Sequence, residues 1–374
     1  MKKFGWLLVV LCVTLLVGCG QQGGKLVKVA LVCPLTGDDA AHGQGMKRGF
    51  TLAIEEANAS KKLGDTRIEM VAFDDRSDPK EAVTIANQII SDPRIIGIIG
   101  HLNSGCSIPA SPIYAKRNLV MITPASTNPK LTQQGFKSVF RLCGTDDVQG
   151  SFCANYAFDT LKVNQVAIIH DKTAYGQGLA EEFQTNYLKD GGTVISFDGI
   201  DRGDKDFKAL LTRIKGEDPK LVFFGGLYAE GGLISKQMKE MGLTVPLMGG
   251  DGILTNEFPR IGGSATEGDF ATMVGYPPQK LPDAKGFLER YKQRFPNEDV
   301  QPYDPLTYEA AMLLLTAYAN CNQDKDQLVT AVAGITYKGI LGTTSFSENG
   351  DSKNKFVSMN RVVNGRFEYY EHGK

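Results

Sequence analysis

The stretch Ile95-Ile96-Gly97-Ile98-Ile99-Gly100-His101-Leu102-Asn103-Ser104-Gly105, followed by Leu119-Val120-Met121-Ile122-Thr123-Pro124-Ala125-Ser126-Thr127, decides the fold. Each half is a short apolar run that stops at a hydroxyl-rich turn. Runs of four to eight apolar, β-branched residues bounded by Gly, Pro, Ser and Thr read as strands buried on both faces. Such strands occur in parallel sheets, where small polar ligands are held at the carboxyl ends. The two turns therefore predict a cradle for a carboxylate or a similar head group.

Working outward, further strands are expected at Val27 to Val32, Ile68 to Phe73 and Val139 to Leu142. Met46, Phe50, Ala53, Ile54 and Ala57 recur at helical spacing between the first two. Asp78-Pro79-Lys80-Glu81 supplies an N-cap, a first-turn proline and a capping-box acid for a second helix. This β-α-β-α order places the chain in the α/β class. The alternation restarts near Gly144, with strands at Val166 to Ile169, Thr193 to Phe197, Leu221 to Phe224, Val245 to Met248 and Phe270 to Val274. Helices are expected over Gly178 to Lys189, Phe207 to Ile214 and Gly231 to Met241. Two similar halves follow, alike in architecture and not residue by residue. A helical pattern from Tyr308 to Asn320 and a strand-like segment from Phe356 to Val363 have no sheet of their own, so the chain is expected to cross between the halves more than once.

At 374 residues the chain exceeds what one hydrophobic core usually organises. Lys2 and Lys3 precede an apolar run from Trp6 to Thr14 and then Leu16-Val17-Gly18-Cys19. That pattern is a lipoprotein-type signal over residues 1–18 with Cys19 as the lipid acceptor, too short to span a bilayer. Residues 19–25 form a tether, and the mature protein is expected outside the cytoplasm, membrane-anchored through Cys19. The sole tryptophan, Trp6, lies in the leader. Formal charge is −1, with acids and bases interspersed, which leaves no basic footprint for nucleic acid. Beyond Cys12 and Cys19 stand Cys33, Cys106, Cys143, Cys153 and Cys321. Export permits disulfides; Cys33 with Cys106, past neighbouring strand ends, is the first candidate bridge and Cys143 with Cys153 a second.

Catalytic and cofactor signatures fail. His42-Gly43-Gln44-Gly45-Met46-Lys47-Arg48-Gly49 meets neither the dinucleotide nor the phosphate-loop spacing, and Tyr175-Gly176-Gln177-Gly178 is only G-x-G. No nucleophile elbow, metal-spaced histidine pair or Cys-x-x-Cys occurs. His101 and His170 follow strands and read as hydrogen-bonded structural residues; Asp201, Asp204 and Asp206 lack the distal glutamate of a calcium loop and read as a solvated turn. No enzyme activity, cofactor or metal is expected. What remains is a set of non-reactive polar groups at strand ends: Ser104, Ala125 through its carbonyl and Thr127 in the first half; Tyr175, Leu227 or Tyr228, and Asp251 in the second. Hydroxyls and N–H donors suit a carboxylate, and an acid suits an ammonium. Taken singly, each is also what an ordinary turn uses.

At these residues the chain resembles the periplasmic leucine/isoleucine/valine-binding protein family, the type I solute-binding proteins of ABC transporters. The likeness runs from Leu26 to Tyr370. It is strongest at Phe73-Asp74-Asp75, Asp78-Pro79-Lys80, Gly100-His101-Leu102, Met121-Ile122-Thr123-Pro124-Ala125, His170-Asp171-Lys172, Tyr175-Gly176, Gly178-Leu179-Ala180, Asp198-Gly199-Ile200 and Lys205-Asp206-Phe207. The resemblance implies two Rossmann-like lobes with parallel sheets, joined by a three-crossing hinge: residues 26–143 with 275–340 in the N-terminal lobe, and 144–274 with 355–374 in the C-terminal lobe. It implies that Ser104 and the Thr127 N–H hold a ligand carboxylate, and that the Ala125 carbonyl, the Thr127 hydroxyl and Asp251 hold an α-ammonium. Tyr175 would close over the head group, with His42, Leu227 and Tyr303 around the ligand side chain. Asp251 stands where leucine-binding members carry glutamate, and His42 and Leu227 where they carry aromatic rings, with Tyr228 next door able to supply one. The family disulfide cannot form, because Ser77 and Asn103 occupy its positions. The implied function is capture of free amino acids, branched-chain aliphatic ones, by a monomer that delivers them to a membrane permease. The same fold binding a short amide or another carboxylate, or acting as a sensor, is the alternative.

Overall fold

Strand alternation and strand end together place the core and the site. The computed structural model describes residues 25–281 and 283–370, so the signal segment, Cys19 and nearly all of the tether lie outside the described residues. In β1 (Leu26–Cys33), Val29, Leu31 and Cys33 face one side of the sheet and Ala30 and Val32 the other. Both sides are apolar because helices cover both. α1 (Ala40–Ser60) closes one face; α2 (Pro79–Ser91) and α3 (Ser104–Ala115), following β2 (Arg67–Asp74) and β3 (Ile95–Gly100), close the other. The Asp78 side chain accepts from Lys80 N at 2.7 Å, so α2 begins where its capping signal predicts. β4 (Val120–Thr123), α4 (Lys130–Gln133) and β5 (Val139–Arg141) complete a five-stranded, fully parallel sheet of order β2-β1-β3-β4-β5.

The chain then crosses into a second lobe through α5 (Asp146–Asn155). β6 (Gln165–His170), α6 (Ala174–Lys189), β7 (Thr193–Gly199), α7 (Lys208–Gly216), β8 (Leu221–Gly225), α8 (Tyr228–Glu240), β9 (Leu247–Gly249), α9 (Glu257–Gly262) and β10 (Phe270–Met273) follow. Their parallel strands run β7-β6-β8-β9-β10, the first lobe's order repeated. The chain next returns through α10 (Lys285–Arg294) and α11 (Tyr303–Asn320); α11 packs along α1 and against β3 and β4, so nearly all of it is buried. After α12 (Leu328–Ala333) and the ribbon β11 (Tyr337–Gly339) and β12 (Gly342–Thr344), a third crossing leads to β13 (Ser358–Val363) and β14 (Arg366–Tyr369). These last two add to β10 antiparallel, so the second sheet has seven strands and is mixed at one edge, which the parallel expectation did not include.

Neither candidate disulfide exists; all five described cysteines are free. Cys33 points to the α1 side of the sheet, where its thiol donates to the Gly43 carbonyl, whereas Cys106 sits on α3, which covers the opposite face. Neighbouring strand ends do not bring side chains together when the sheet lies between them. Cys143 belongs to the core of the first lobe and Cys153 to that of the second. Among the described residues no helix is long and apolar enough to cross a membrane.

Candidate functional site

The turns that carry Ser104, Ala125 and Asp251 to the interlobe cleft each leave the carboxyl end of a strand. After β3 the backbone must pass close to β1: a Cβ on Gly100, whose φ is +137°, would lie 2.1 Å from the Val32 carbonyl oxygen. Glycine there lets α3 start at Ser104 with its first N–H groups directed at the cleft. A helix N-terminus and a serine hydroxyl together favour an anion. Ser104 Oγ accepts from Asn128 N at 3.2 Å, which leaves its own proton to donate.

The second turn is pinned from both sides. Thr123 Oγ1 accepts from the N–H groups of Ala125 and Ser126 and donates to the His101 carbonyl at 2.9 Å. From behind, the fully buried Arg141 donates to the carbonyls of Ser126 (3.0 Å) and Asn128 (2.7 Å), to Thr132 Oγ1 (2.6 Å) and to Asp351 (2.9 Å). Asp351 is thereby held below the usual carboxylate range: burial pushes it up, and Arg141 together with the hydrogen bonds from Asn349 and Thr132 more than reverses this. His101 bonds Asp75 at 2.7 Å and Tyr114 at 3.1 Å, and His170 Nδ1 accepts from Lys172 N, so both are structural.

Across the cleft, Asp251 begins a single 3-10 turn after β9. A Cβ on the preceding Gly250 would lie 2.4 to 2.6 Å from Leu179, Tyr175 OH and Gln149 Oε1, so only glycine lets the carboxylate sit this deep. Asp251 Oδ1 accepts from Tyr175 OH at 2.9 Å and Gln149 Nε2 at 3.0 Å, and Oδ2 from Tyr303 OH at 2.6 Å. Burial raises its pKa, opposed by those three donors. Tyr175 is set by the Thr173 cap of α6, whose hydroxyl accepts from Gly176 N at 2.9 Å. His42 spans the lobes: its Nε2 lies 3.1 Å from the Gly252 carbonyl, which only accepts, so Nε2 carries the proton. Burial lowers the pKa of His42, so the ring is neutral.

His42, Ser104, Ala125, Tyr175, Leu227, Asp251 and Tyr303 line one small, partly open cavity of about 20 Å³ between the lobes, together with Leu102, Asn103 and Gly252. Thr127 lies behind this lining, its buried hydroxyl facing the Asp146 carboxylate. Tyr228 is turned away: its OH accepts from Ala41 N at 3.2 Å, and it lines a wider outer cleft while its ring packs edge-on to His42. Two groups escaped the reading of the sequence. Asp146, at the start of α5, is fully buried beside the Thr127 hydroxyl, and burial pushes its pKa well up, opposed by that hydroxyl; Gln149, one turn on, fixes Asp251. Both are on a helix inside the first crossing, where only the pair Asp146-Asp147 on a buried helix start could have signalled them.

Among the described residues no cluster of His, Cys, Asp and Glu could hold a metal. The cavity offers donors on one lobe and an acid on the other, which suits a ligand with both an anionic and a cationic end.

The periplasmic binding protein family matches residues 26–365. The Leu/Ile/Val-binding protein homolog 2 of Brucella abortus (strain 2308) is 36% identical over 366 residues, 96% of this chain and 97% of that protein. The leucine binding protein LivK of Thermotoga maritima has a TM-score of 0.86 and 33% identity, over 92% of this chain and 98% of that one. LivJ of Streptococcus pneumoniae, a branched-chain amino acid transporter substrate binding protein solved with isoleucine, has a TM-score of 0.85 and 26% identity, over 92% of this chain and 98% of that one. The chain belongs to the periplasmic binding proteins of the Leu/Ile/Val-binding type, a family of extracytoplasmic solute-binding proteins and not of enzymes.

Proposed function

We propose that this protein captures a free, branched-chain aliphatic amino acid and delivers it to an ABC permease. The observation that carries the reading is the opposition, across one cavity between the lobes, of the Ser104 hydroxyl at a helix N-terminus and the Asp251 carboxylate. An α-amino acid is a zwitterion whose two charges fit these two ends. In this reading Ser104 and the Thr127 N–H bind the carboxylate; the Ala125 carbonyl, Thr127 hydroxyl and Asp251 bind the ammonium; and His42, Leu227 and Tyr303 enclose the side chain. Tyr175, already bonded to Asp251, closes over the head group. The ligand enters an open form and shifts the population to the closed one, where desolvated charges are paired.

The relatives support the ligand class: one is a leucine binding protein and another was solved with isoleucine. The lobes of this reading are 26–143 with 275–340 and 144–274 with 355–374, acting as a monomer, with lipid on Cys19 as the anchor. Isothermal titration of the soluble chain with leucine, isoleucine and valine tests the reading, with Ser104→Ala and Asp251→Ala as variants. Binding lost in both variants is the expected result; unchanged affinity in both refutes the pocket. Mass spectrometry of the peptide that carries Cys19 tests the anchor.

A further inference from the structure

A second set of charges bridges the lobes outside the ligand cavity. Arg202, in the turn after β7, donates through Nη2 to Asp39 Oδ2, and Asp39 precedes α1 on the other lobe. Asp39 is 1% exposed, and the same oxygen accepts from Ser77 Oγ at 2.5 Å. Asp39 heads α1 without making a side-chain cap bond, so its carboxylate is not spent on the helix. On its own lobe Arg202 stands in the field of Glu230 and Asp171, both buried. Each of these acids keeps one buried oxygen without a partner, Glu230 Oε2 and Asp171 Oδ2, and Arg202 keeps its Nε unpaired. One guanidinium thus serves three carboxylates, and only the one on the facing lobe is bonded.

We propose that Arg202 is an exchange latch for lobe closure: paired with Asp39 when the cleft is shut, and with Glu230 and Asp171 when it opens. Opening carries Asp39 away from a guanidinium that is only a quarter exposed, and the loss of that partner is offset when another anion takes it. The free oxygens of Glu230 and Asp171 supply that anion. The latch makes Arg202 and Asp39 positioning residues: they set affinity through the open–closed balance and touch no ligand.

Exchange predicts variants of opposite sign, which a merely structural role does not. Asp39→Asn keeps an acceptor for Ser77 and removes the closed-state charge; Glu230→Gln keeps Oε1 for its 2.9 Å bond from Gly203 N and removes an open-state charge. The expected result is an affinity loss on the order of tenfold for Asp39→Asn, a gain for Glu230→Gln, and no further effect of Asp39→Asn in an Arg202→Met background. Small-angle scattering of the unliganded chain reads the same balance, with a larger radius of gyration for Asp39→Asn and a smaller one for Glu230→Gln. That measurement needs no ligand, so it tests the latch even if no amino acid binds. Effects of the same sign in both variants, or none in either, would overturn the proposal.

Discussion

Asp251→Asn should weaken ligand binding and at the same time leave the empty protein as stable as before, or more so. The substitution keeps the shape of the side chain and removes its charge. In the structure that charge is fully buried, held by Tyr303, Tyr175 and Gln149, and beside the equally buried Asp146. Without ligand two carboxylates are desolvated there, compensated by neutral donors and, for Asp146, by the field of Arg141, and burial raises the pKa of both. With an α-ammonium bound, the same carboxylate makes a charge-assisted hydrogen bond inside a closed site. Removing one partner of such a buried pair costs about 2–5 kcal/mol, and 3 kcal/mol is roughly 150-fold in affinity. For folding, the sign reverses, because the amide carries no buried charge. Titration calorimetry gives the affinity and a thermal melt of the empty chain gives the stability. A large fall in the melting temperature with affinity intact would refute the reasoning, since it would make Asp251 a structural residue and not a counter-charge.

The remaining predictions concern the scaffold. Arg141→Ala should cost about 3 kcal/mol of stability, because it leaves Asp351 with only the part-exposed Lys355 as counter-charge and frees the carbonyls of Ser126 and Asn128; a denaturant melt that moves by less than the error would refute the clamp. Burial raises the pKa of Asp269 and of Glu309 to about 7, and of Asp304 to about 6. A raised carboxyl pKa means that the folded state binds protons that the unfolded state, titrating near 4, does not. Stability should therefore fall as pH rises from about 4 through 7, and Glu309→Gln should flatten that slope; an unchanged pH profile in the variant would count against the assignment. Since all five described cysteines are free and buried or half-buried, a reductant should leave the melting temperature of the soluble chain unchanged, and a reductant-dependent fall would revive a disulfide.

Particular residues show how far the sequence carries. The apolar runs before Gly100 and Thr123 announce doubly covered strands, and the turns after them hold the cavity's donors, because strand ends and ligand sites coincide in open parallel sheets. Asp251 was legible for the same reason, after Gly249-Gly250. Asp146 and Gln149 were not, since a helix start of Asp-Asp looks the same whether it faces water or a cleft. Tyr228 and Leu227 are adjacent, and their numbering could not say which one turns inward; the helix start after β8 sends Leu227 to the cavity and Tyr228 to the outer cleft. The cysteine pairing failed because adjacency in a sheet's plane says nothing about which face a side chain takes.

The α/β class, the doubled architecture and the residues at the strand ends can be read from the chain alone, because burial on both faces, helix caps and glycine turns are local properties that periodicity records. Only the tertiary structure decided which of those residues share a cavity, which carboxylates stand unpaired, and that Arg202 meets Asp39 across the lobes. Those are contacts between residues as far as 163 positions apart, and they are set by how two separately folded sheets close on each other.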